Sequence, residues 1–154
     1  MSVKDTAKRQ YVRIINHAAN QFEELSTPSE GWITCFRKAL GMSGPQLARK
    51  AGVTKAAIYQ AERNERKGAI TLKQLEKLAQ DLGGKLVYAI VPEDQIEDIV
   101  HAQAMKKAEA RIKRTSAHMA LEKQSLPNDQ IRQDIEQLAQ EMKRNPSSDF
   151  WEDR

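Results

Sequence analysis

With a single cysteine and three histidines in 154 residues, the chain has little from which to build redox or metal chemistry. Cys35 has no partner for an internal disulfide. It lies in the apolar stretch "GWITCFRKAL", so it reads as a core residue in a reducing compartment rather than as a nucleophile. His17, His101 and His118 are far apart in sequence, and none forms a metal-ligand spacing. Each reads as a surface or packing residue, and no metal or cofactor is expected. No glycine-rich phosphate loop and no nucleophile elbow is present, so an enzyme lacks its constellation. The longest uninterrupted apolar run, residues 86–91, falls far short of the roughly 20 residues a bilayer span needs. The polar N-terminus has no apolar signal region, which leads to the expectation of a soluble, cytoplasmic protein. There is neither an internal repeat nor a low-complexity block.

Charge is what the chain has, and it is unevenly placed. Residues 1–31 carry four Lys/Arg against four Asp/Glu, residues 32–92 eleven against four, and residues 93–154 ten against thirteen. The balances are 0, +7 and −3. A basic middle segment suits a polyanion, whereas the acidic C-terminal part does not suggest a second nucleic-acid surface. Length allows one compact domain with extensions, not two full-sized domains.

Helical periods dominate. Tyr11, Ile14, Ile15, Ala18, Phe22 and Leu25 predict an amphipathic helix over about residues 5–25 that must pack against something. "STPSEG" breaks it. Ile33, Phe36 and Leu40 mark a short helix ending at Gly41. Ser43 and Gln46 have capping-box spacing and open a helix to Ala51, and Gly52 ends it. Thr54 caps the next, with Ile58 and Ala61 inward. Thr71 and Gln74 repeat the capping spacing ahead of Leu72, Leu75, Leu78, Ala79 and Leu82, before Gly83 and Gly84 stop the helix.

"KLVYAIVP", residues 85–92, is apolar on both alternating faces and closes on proline, so it reads as one buried strand. No second strand exists to pair with it. An unpaired apolar edge is a liability, and Leu86, Val87, Tyr88, Ala89, Ile90 and Val91 are therefore expected to pair with a second copy in a homodimer. A long helix over about 94–124 and another through Ile131, Ile135, Leu138 and Met142 precede "RNPSSDFWEDR", which reads as a loose tail. Its aromatics Phe150 and Trp151 read as anchors for a protein partner, or else the helices pack back on the domain. The divisions are 1–31 for the N-terminal helix and linker, 32–84 for the main domain, 85–92 for the strand, and 93–154 for the helical extension and tail.

Two short helices joined at Gly52 and Val53, with small Ala48 at the crossing, have the pattern of a helix-turn-helix. That crossing leaves Lys55, Ala56, Tyr59, Gln60 and Arg63 outside, where the second helix of such a motif enters the major groove of a double-stranded DNA operator. An ordinary solvated face would hold similar residues. Turn chemistry, small-residue spacing and basic balance together favour the DNA reading.

The run "LGMSGPQLARKAGVTKAAIYQAERN", followed by "TLKQLEKLAQDLGGKLVYAIVP", resembles the phage-repressor-like helix-turn-helix proteins of the XRE family. With "GWITCFRKALGMSGPQLA" and "RTSAHMALE" the chain looks more specifically like the group called mobile mystery protein A. The broad resemblance implies a mainly α fold, a five-helix domain acting as a dimer on an operator, and site residues Gly44, Thr54, Lys55, Ala56, Tyr59, Gln60 and Arg63. The narrower one implies a neighbouring partner with a Fic domain, and a role as antitoxin and autorepressor. Gly44 stands where many members have a phosphate-touching Gln, so a side-chain contact is lost and only its backbone amide can face a phosphate. Asn64 replaces the glycine that usually follows the recognition helix. Fic inhibitors share a Ser/Thr-x-x-x-Glu-Gly/Asn pattern that Ser26, Glu30 and Gly31 match, although Pro28 sits inside and the stretch reads as a linker. Self-cleaving repressors add a β-rich peptidase domain, which the helical C-terminal third excludes. The competing reading is a helical protein-protein adaptor or coactivator without operator binding.

Overall fold

The structure is a computed structural model that describes residues 2–121 and 128–153. Among the described residues seven helices are present in order: α1 (Val3–Phe22), α2 (Trp32–Ala39), α3 (Gly44–Ala51), α4 (Lys55–Lys67), α5 (Leu72–Leu82), α6 (Ile96–Leu121) and α7 (Asn128–Arg144). The chain divides into two compact units, Phe22–Ala89 and the combination of Met1–Gln21 with Ile90–Arg154.

In the first unit, local chemistry sets the helix ends. The Ser43 hydroxyl accepts the Gln46 amide and the Gln46 side chain accepts the Ser43 amide, a reciprocal capping box that opens α3. Thr54 and Thr71 accept the amides of Ala57 and Gln74 and open α4 and α5. Between α3 and α4, Gly52 takes a left-handed conformation (φ 71°), which lets Val53 N–H return to the Ala48 carbonyl at 2.9 Å. The core gathers Ile33, Leu47, Ala48, Ile58, Ala61, Leu78 and Leu82. Leu47 and Ile58 are fully buried, each contributing about 1.5–3 kcal/mol of apolar transfer.

Several sequence expectations are corrected here. Residues 32–84 hold four helices, not five, because Gly83 turns left-handed (φ 92°) after α5 and no helix follows until Ile96. Among the described residues there is no β-strand. Residues 84–92 carry no ladder, and Val87, Tyr88 and Ile90 are exposed instead of buried. The physical reason is that a strand is defined by its neighbour, and the described residues of a single copy supply none. Cys35 is exposed, since the buried face of α2 is Ile33, Thr34 and Arg37, and Cys35 projects from the other side. α1 forms as the periodicity predicts but buries no residue, and Tyr11 and Ile14 remain exposed. Residues 26–31 are non-helical, so the Ser26-to-Gly31 pattern lacks the helix that the inhibitory element requires.

The second unit joins α6 and α7 across a seam of small residues. Ala104, Ala108 and Ala139 are fully buried, and the four-residue spacing of the first two places them on one face of α6. Alanines let the helices approach closely and leave a recess that Phe150 fills, at 3% exposure. The tail is therefore docked rather than loose. The Gln103 side-chain amide donates to the Phe150 carbonyl at 2.7 Å, and Lys106 pairs with Asp153 at 2.7 Å. Of the two tail aromatics only Trp151, 61% exposed, is available to a partner.

Candidate nucleic-acid interface

α3 and α4 pack as the two arms of a turn, and α4 is held from behind by α2. Glu62, buried on α4, accepts two hydrogen bonds from Arg37 of α2, from Nε at 2.7 Å and from Nη2 at 3.3 Å. Arg37 Nη1 also donates to the Met42 carbonyl at 3.0 Å. The hydrogen bond to Glu62 outweighs burial and raises the Arg37 pKa further above its ordinary value. A raised value is lost only as pH climbs through it, beyond any range the protein meets, so this pair is not a pH switch. One turn along, the Glu65 carboxylate accepts the Trp32 and Ile33 amides at 2.6 and 2.9 Å and caps α2.

These contacts fix which side of α4 faces out. At about 100° per residue, Ile58, Ala61, Glu62 and Glu65 share the inward arc. Lys55, Ala56, Tyr59, Gln60 and Arg63 share the outward one, and all five are exposed, as is Thr54 at the cap. Two of the four carboxylates of residues 32–92 are thus turned toward α2, which leaves the outward face more basic than the segment's balance alone indicates.

Two positions differ from expectation. α4 continues to Lys67 and is capped by Gly68 (φ 72°), so Asn64 lies inside the helix and is not its left-handed terminus. There Asn64 Oδ1 accepts from Gln60 Nε2 at 2.8 Å, while Gln60 Oε1 accepts from Arg63 Nη2 at 2.7 Å. Gln60 is braced on both sides, with part of its amide already engaged. Gly44 is buried, and the end of the Tyr59 ring lies where a side chain at position 44 would project. Sequence reasoning missed Arg37, Glu62 and Glu65. The available signal was a carboxylate four residues after inward-facing Ile58, on the buried side of α4.

Among the described residues no group of three or more His, Cys, Asp or Glu could hold a metal ion, and no helix is long and apolar enough to cross a membrane. No curated protein and no solved structure matches the chain. Residues 36–88, about a third of its length, match the family model described as helix-turn-helix. That family is one of DNA-binding regulatory domains and not of enzymes. With its capped α3, left-handed turn and outward-facing α4, the segment 36–88 is a helix-turn-helix domain of the XRE type.

Proposed function

We propose that the chain is a sequence-specific transcriptional regulator that docks α4 in the major groove of its operator. The observation carrying this reading is the outward row of Lys55, Ala56, Tyr59, Gln60 and Arg63, oriented by the Arg37–Glu62 pair behind it. Lys55 donates to guanine edges, Ala56 meets a thymine methyl, Tyr59 and Gln60 reach a base or the adjacent backbone, and Arg63 takes a phosphate. Selection of bound duplexes from a randomised pool tests it. The expected outcome is an inverted repeat with half-sites about one helical turn apart. Recovery of unrelated sequences would leave only a basic surface.

The inverted repeat follows from dimerisation through Leu86, Val87, Tyr88, Ala89, Ile90 and Val91, a non-helical and largely exposed apolar segment suited to pairing with its copy. A groove of about 340 Å³ beside its start, lined by Trp32, Phe36, Leu86 and Val87 among others, adds apolar surface to cover. Ala89→Pro removes one ladder donor per copy and should weaken the dimer by roughly 1–3 kcal/mol. Analytical ultracentrifugation near the dissociation constant reads this, and an unchanged mass distribution would count against the pairing.

The finer role we assign is that of an autorepressing antitoxin whose partner is a Fic-domain toxin, with the acidic helical extension and Trp151 as the partner-facing part. Its support is the resemblance of "RTSAHMALE" and the flanking segments to the mobile mystery protein A group. A neighbouring gene without a Fic domain would remove this role and leave the operator-binding one.

A further inference from the structure

We infer that Gly44 is the seat of Tyr59, and that the absence of a side chain at the start of α3 sets where the α4 tyrosine hydroxyl meets the DNA backbone; this rests on the operator-binding reading above. A Cβ built on Gly44 would lie 2.6 Å from both Tyr59 Cζ and Tyr59 Oη, and 2.8 Å from Cε1. Those separations are about 1 Å below ordinary carbon contact. The ring and hydroxyl therefore occupy the volume that any other residue at position 44 would claim. Gly44 does not take a positive φ, so its backbone conformation does not demand glycine. What the missing side chain provides is the space that the end of the Tyr59 ring fills.

The seat has a direction. Tyr59 springs from the outward arc of α4, in line with Lys55 and Arg63, and its ring leans back so that Oη rests beside the first residue of α3. A tyrosine free to swing would sample several positions over the groove. This one is laid across the two helices of the motif, with its hydroxyl beside the first residue of α3. A hydroxyl there donates to a backbone phosphate, a contact that sets register and carries no base preference. Tyr59 thereby supplies at the start of α3 the side-chain phosphate contact that a glycine cannot make.

The obstruction in Gly44→Ala falls on the far end of a side chain that is 39% exposed. The ring can leave its seat without disturbing the core, so the substitution acts on DNA binding rather than on folding. The test is a double-mutant cycle on the full chain: wild type, Gly44→Ala, Tyr59→Ala and both together. Each is titrated by fluorescence anisotropy against a duplex selected by the wild type and against its scrambled form, and each is melted thermally. Gly44→Ala should lose about tenfold in affinity on both duplexes with Tyr59 present and under about twofold with Tyr59→Ala. Its melting temperature should stay within a few degrees of wild type. Tyr59→Phe, which keeps the ring and drops the hydroxyl, should reproduce the loss. Equal losses in both backgrounds, no loss at all, or a collapse in melting temperature would each overturn the inference. The Tyr59 ring resonances, followed by NMR without DNA, should move in Gly44→Ala. If they move while the wild type binds no duplex, the operator reading fails and takes the phosphate role with it. If they stay in place, the seat itself is refuted.

Discussion

Glu62→Ala should cost the 22–89 unit about 3–5 kcal/mol in a urea titration, because it strands the Arg37 guanidinium in a site where its side chain is 10% exposed. The neighbouring Met42 carbonyl still accepts one hydrogen bond from Arg37, yet cannot neutralise the charge. Replacing both partners with apolar residues, as in Arg37→Met with Glu62→Leu, should recover most of the loss, since a buried ion pair is expensive mainly when half of it is removed. A Glu62→Ala variant within about 0.5 kcal/mol of wild type would mean that α4 is oriented by its apolar contacts alone. The pair also joins stability to function. It is the tie that sets the rotation of α4, so variants of Glu62 that remain folded should lose sequence preference as well.

Phe150→Ala should destabilise the α6–α7 packing by about 3–5 kcal/mol, a loss set by apolar transfer plus the cavity left between alanines too small to collapse into it. Hydrogen exchange at the amides of α6 and α7 reports this locally. The tail's polar contacts cannot substitute for the ring. Lys106–Asp153 is an exposed pair, weakened by solvent screening. The Ser147 hydroxyl, and then Lys107, hold the Asp149 pKa below the usual carboxylate range, so whatever this contact adds is present at neutral pH and fades only on strong acidification. Trp151→Ala is the control, because Trp151 packs edge-on against Phe150 at 5.0 Å and is otherwise exposed. If the two substitutions cost the same, the tail is not anchored through Phe150.

The parts of the fold legible in the sequence are those whose physics is local. Ser43 with Gln46, Thr54, Thr71 and Gly52 each act within five residues of themselves, and each caps or turns where its chemistry requires. The inward pair Ile58 and Ala61 was visible as a helical period. What could not be seen depends on residues distant in the chain. Residues 85–91 have strand composition, but pairing is a property of two segments and the described residues hold no second one. Arg37 and Glu62 meet across 25 positions, and neither charge announces its burial. Ala104, Ala108 and Ala139 weigh little in an apolar pattern, and their importance appears only once Phe150 is placed against them. Cys35 was misjudged because apolar neighbours in sequence are not neighbours on a helix surface. For the outward face of α4, sequence located the residues, whereas the bracing of Gln60 by Asn64 and Arg63 and the contact between Gly44 and Tyr59 emerged only from side-chain geometry.

The central claim, that α4 reads base edges, is tested most directly by titrating Lys55→Ala and Arg63→Ala against a selected duplex and its scrambled form at several salt concentrations. Lys55→Ala should lose about 1–3 kcal/mol on the selected duplex only and relax preference at one position per half-site. Arg63→Ala should weaken both duplexes alike and lower the salt slope by roughly one unit. Equal losses on the two duplexes for Lys55→Ala would contradict base reading and reduce α4 to a basic surface.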